Sequence, residues 1–131
     1  MTEEAYVSFE TAKLLRKKGF TEPTYWAYHI FDDGYLDLRS YNFPLGNIDL
    51  DNSEYAAPTQ QMAMRWLRET HKLSVESVWC SDKGVWWGRV VPMDSNPDEE
   101  LEQKALGFDY PGLSYEDACE TGIKYCLLNL I

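Results

Sequence analysis

The chain is 131 residues long, 44% hydrophobic and 15% aromatic, with a formal net charge of −10. That length supports one domain, residues 1–131, able to bury a core without disulfides or a structural metal, and the composition argues against disorder. No apolar run reaches the ~18 residues that cross a bilayer, and a field of this sign repels phosphate backbones, so a membrane span and direct nucleic-acid binding are both disfavoured.

Glu3 and Glu4 stand where a signal peptide would carry positive charge, so a cytoplasmic protein is expected. The first helix is capped by Ser8, presents Phe9, Ala12, Leu14 and Leu15 as an apolar stripe, and stops at Gly19. Lys13, Arg16, Lys17 and Lys18 fall on its solvent side and C-terminal end, where cations suit the helix dipole. After Pro23, Tyr25 to Phe31 is β-prone, Asp32-Asp33-Gly34 predicts a hairpin turn, and Tyr35 to Tyr41 returns as a half-buried strand. Residues 42–57 read as a long polar loop.

A second helix is predicted from Pro58-Thr59, with Met62, Ala63, Trp66, Leu67 and Thr70 facing the core. Leu73 to Cys80 and Val85 to Val91 form a second hairpin around Ser81-Asp82-Lys83-Gly84. Residues 94–113 read as an acidic linker, with one helical turn predicted over 99–106; residues 94–131 as a whole hold 9 acids against 2 bases. Ser114 opens a closing helix with a capping-box pattern ending in Asp117, and its stripe runs Ala118, Cys119, Ile123, Cys126, Leu127, Leu130. The predicted fold is α+β: two helix–hairpin units forming an antiparallel sheet, plus a C-terminal helix, with helices mainly on one face. Repetition of the helix–hairpin unit raises internal duplication as one explanation and a common supersecondary arrangement as the other.

Trp86 and Trp87 are adjacent in a predicted strand, where neighbouring side chains point to opposite faces. One hydrophobic interior cannot hold both. Two-sided burial, a self-association surface and a ligand platform are the alternatives, and Trp86, Trp87, Trp26 and Tyr28 are the candidate interaction residues.

Reaction chemistry is thinly supported. No phosphate loop, dinucleotide fingerprint, nucleophile elbow or zinc-protease motif occurs. His29 and His71 lack partners at metal-ligand spacing, so no metal, cofactor or catalytic residue is assigned. The acidic pairs Asp32-Asp33, Asp49/Asp51 and Glu99-Glu100 fall in predicted turns or linkers. Cys80, Cys119 and Cys126 are an odd number without a CxxC pair. Cys119 and Cys126 lie about 10 Å apart along one helix, too far to bridge, and are read as small buried apolar residues.

Three segments, YVSFETAKLLRKKGF, APTQQMAMRWLRETHKL and LSYEDACETGIKYCLLNLI, together resemble a family of small uncharacterised proteins of gut Bacteroidetes, their prophages and mobile elements. The resemblance implies a shared scaffold and a source, and carries no active site. The expected function is a non-enzymatic binding or regulatory protein of phage or mobile-element type, acting through a protein partner or self-association. The alternatives are a small-ligand, nucleotide-like binder using Arg39, Arg65 or Arg89 for phosphate, and an enzyme with a dispersed carboxylate or histidine site.

Overall fold

A computed structural model describes residues 5–93, 110–112 and 114–131. Its elements are α1 (Phe9–Lys17), β1 (Thr24–Ile30), β2 (Leu36–Leu45), β3 (Glu54–Ala56), α2 (Gln60–His71), β4 (Leu73–Cys80), β5 (Val85–Pro92), β6 (Tyr110–Gly112) and α3 (Tyr115–Asn129). The fold is α+β with a C-terminal helix, as expected. The strands assort into two three-stranded antiparallel sheets, ordered β2-β1-β3 and β4-β5-β6, where the hairpins alone had suggested one sheet. By contacts the chain divides into two compact units, Met1–Thr59 and Gln60–Ile131.

In the first unit, α1 begins where Ser8 Oγ accepts the Thr11 N–H at 3.2 Å. It ends in a Schellman motif: Gly19, at φ +93°, donates to Arg16 O, and Phe20 donates to Leu15 O at 2.9 Å. Phe20 and Leu15 are both fully buried, which supplies the hydrophobic contact that accompanies this motif. The β1–β2 turn uses Gly34 at φ +87°, with Asp33 Oδ1 accepting the Tyr35 N–H at 3.0 Å. β1 then places Tyr28 opposite both Leu38 and Tyr55, and Phe9 of α1 packs edge-on against Tyr28 and Tyr55 at 5.6 Å each.

The expected loop over residues 42–57 is corrected at both ends. β2 continues to Leu45, and residues 54–56 form β3 on the far side of β1. Between them the chain is tied down by Asn47, which is buried. Its Nδ2 donates to Phe20 O at 2.8 Å and its Oδ1 accepts the Ala56 N–H at 2.9 Å. Arg16, assigned to the solvated helix face, instead donates from Nη1 to the carbonyls of Asp51 (2.8 Å) and Glu54, and lies over the Tyr55 ring.

In the second unit, α3 lies across β4 and β5, and α2 packs on α3 and β4. Ala63, Trp66 and Leu67 are buried as expected; Met62 is half-buried, Thr70 is exposed, and Met64, outside the expected stripe, is buried. Ser114 caps α3 by accepting the Asp117 N–H at 3.0 Å. Within the expected linker 94–113, residues 110–112 form β6 against Trp86–Gly88. The expected helical turn at 99–106 lies outside the described residues. The third strand joins the first hairpin strand in one unit and the second in the other, so the two units do not share a strand order.

Candidate functional site

The four-residue turn at residues 81–84, with Gly84 at φ +65° and donating to Cys80 O, sets the register of the second hairpin. Cys80 pairs with Val85, Trp79 with Trp86 and Val78 with Trp87. β5 is extended through both tryptophans, so their indoles point to opposite faces.

On the face that carries the buried Val75 and Val90, Trp86 meets α3. Its ring centroid is 5.3 Å from Trp79 and 5.4 Å from Tyr115, the latter edge-on. Ser77 Oγ donates to the Tyr115 carbonyl at 3.1 Å and fixes the start of α3 over the hairpin. Trp79 keeps 51% of its surface in water and Tyr115 37%, so the three rings form an aromatic cluster open on its outer side. Burial raises the pKa of the Tyr115 hydroxyl, with the neighbouring Cys119 adding to the effect, so the ring stays neutral at physiological pH.

On the opposite face, Trp87 stands cross-strand from Val78, with Lys83 Nζ 4.8 Å from its ring centroid. Further along, Glu76 and Arg89 pair at 3.5 Å. The Trp87 indole N–H is buried and has no hydrogen-bond partner among the described residues.

Trp26 and Tyr28 belong to the other unit, where they pack its N-terminal segment. Trp26 contacts Tyr6 at 5.7 Å, while the Tyr28 hydroxyl donates to Val7 O at 2.7 Å. The four sequence-predicted residues therefore do not form one set within a single unit. Trp79 and Tyr115 were missed. A usable signal existed for Trp79, because a four-residue turn after Cys80 sets it opposite Trp86. Tyr115 had none, since only packing brings the start of α3 to the hairpin.

Of the acidic pairs singled out in the sequence, Asp49 and Asp51 are committed to local hydrogen bonds. Asp49 Oδ2 accepts the Gly46 N–H at 3.1 Å, and Asp51 Oδ1 accepts the Ser53 hydroxyl and N–H at 2.6 and 2.8 Å. Those Ser53 bonds hold the Asp51 carboxyl below the usual carboxylate range. Glu99-Glu100 lies outside the described residues. Among the described residues, no group of three or more His, Cys, Asp and Glu side chains is placed to hold a metal ion, and no helix is long and apolar enough to cross a membrane. Arg39 is paired with Asp37 at 3.1 Å and Arg89 with Glu76 at 3.5 Å, both at exposed positions.

No protein-family model, curated protein or solved structure matches this chain.

Proposed function

We propose that this chain is a non-enzymatic binding or regulatory protein, of the phage or mobile-element type its segments resemble, which acts through protein contacts made by the Trp79–Trp86–Tyr115 cluster. The first occupant to test is a second copy of the chain. The observation that carries this reading is Trp79, half exposed and tilted against Trp86 at the end of a hairpin. Covering the open half of one indole removes about 100 Å² of largely apolar surface from water, worth roughly 2–3 kcal/mol. The adjoining turn holds Asp82 and Lys83, and the exposed Glu116 and Asp117 follow Tyr115, so association of two copies is expected to strengthen as salt screens these acids.

Sedimentation velocity across a wide concentration range tests it. The expected result is reversible dimerisation of the native chain, with a Trp79→Ala variant shifted to monomer while its circular dichroism is unchanged. Trp86→Ala serves as the packing control, because that ring also supports α3. A native chain that remains monomeric at the highest concentration, or a Trp79→Ala variant that associates as well as the native one, would remove self-association at this surface.

A further inference from the structure

A second surface, in the first unit and independent of the aromatic cluster, carries a more specific chemistry. Beside the β1–β2 turn, Phe31, Asp32, Asp33, Tyr35, Asp37 and Arg39 line an open depression of about 570 Å³. Three carboxylates and one guanidinium share its lining, and Asp37 is the one paired with Arg39. Tyr35 is 61% exposed, and its ring centroid lies 5.7 Å from that of Phe31.

The single cation shows what the surface accepts. The Arg39 guanidinium carbon stands 4.9 Å from the Phe31 ring centroid, and its Nε donates to Asp37 Oδ2 at 3.1 Å. An aromatic plate with a carboxylate at its rim is the arrangement that recognises a guanidinium or ammonium group. Both partners of this pair are well exposed, at 44% and 40% of their side-chain surface, so the contact is open to exchange. Asp33 gives one oxygen to the Tyr35 N–H, which leaves its other oxygen and the exposed Asp32 as acceptors at the same rim. An anion would meet the opposite charge balance and compete with Asp37 for Arg39.

We propose that this depression is a receptor for the cationic side chain, arginine or lysine, of a basic segment in a partner protein, and that Arg39 occupies it as an internal stand-in. An incoming cation takes the Phe31 and Tyr35 rings and the Asp32, Asp33 and Asp37 carboxylates, and Arg39 swings out to solvent. The two surfaces are separately testable, because nothing in this site uses Trp79, Trp86 or Tyr115.

The test is titration of the full chain with a fluorescently labelled arginine- and glycine-containing peptide at low ionic strength, alongside a glutamate-containing peptide and free N-acetyl-arginine amide. The basic peptide is expected to bind and the acidic one not, with amide chemical-shift changes centred on residues 31–39. Asp32→Asn and Tyr35→Ala should each weaken binding by about 5-fold, the effect of one exposed charge or cation–π contact. Arg39→Gln should strengthen it by a similar factor by removing the competitor. Asp82→Asn, on the other unit, should leave it unchanged. Three results would overturn the proposal: Asp82→Asn weakening binding as much as Asp32→Asn, which indicates diffuse charge attraction; Arg39→Gln leaving affinity the same or lower; or no binding of the basic peptide. Free N-acetyl-arginine amide binding as tightly as the peptide would overturn the partner-protein assignment in favour of a small cation.

Discussion

At Gly46 a Cβ would lie 2.5 Å from the Thr21 carbonyl oxygen, a backbone atom that cannot step aside. Gly46→Ala should therefore cost about 1–3 kcal/mol, read as a lower urea midpoint with unchanged slope. Its neighbour Asn47 satisfies the Phe20 carbonyl and the Ala56 N–H. Asn47→Ala removes both bonds, and a loss of about 1–3 kcal/mol is expected in the same experiment. The cysteines divide by burial: Cys119 and Cys126 are wholly enclosed, whereas Cys80 is partly accessible. Thiol labelling of the native chain should modify Cys80 first. Cys119 and Cys126 should be protected by a factor on the order of 10³ or more, because they react only when the unit opens.

Among the elements, the helix termini were the most legible. Ser8 and Ser114 are caps in the structure as their sequence context predicts, and Gly19 closes α1 by the conformation that only glycine adopts without strain. Ser114→Ala should cost about 1 kcal/mol, and Ser114→Asp should restore most of it, since either oxygen can accept the Asp117 N–H near the positive end of the helix dipole. Thermal denaturation followed at 222 nm measures both. β3 and β6 were not legible. Each is only 3 residues long, too short for a periodic pattern, and each exists because a central strand, β1 or β5, offers an unpaired edge. Their sequences read as loop because pairing, and not local preference, makes them strands.

For the molecule as a whole, alkaline pH is the revealing variable. Burial pushes the Cys126 thiol up to about 12 from 9.0. Burial and the Glu54 carboxylate that accepts its hydroxyl proton push Tyr41 up to about 12 from 10.0. In both cases the folded chain keeps a proton that the unfolded chain releases. The contribution is complete below the unfolded value and fades as pH climbs from about 9 towards 12. The urea midpoint should fall through that window, and Cys126→Ala should flatten the fall without removing it.

The sequence by itself determined the helices, the caps of α1 and α3, both hairpins and the opposed indoles of Trp86 and Trp87. These follow from side-chain period, capping chemistry and turn residues, all set within a few positions along the chain. Tertiary structure alone decided the division of the strands into two sheets, the third strand in each, and the meeting of Trp79, Trp86 and Tyr115. It also set Arg39 over Phe31 beside the Asp37 carboxylate. Those arrangements depend on which edges pair and which faces pack between distant segments, and no local preference specifies that choice.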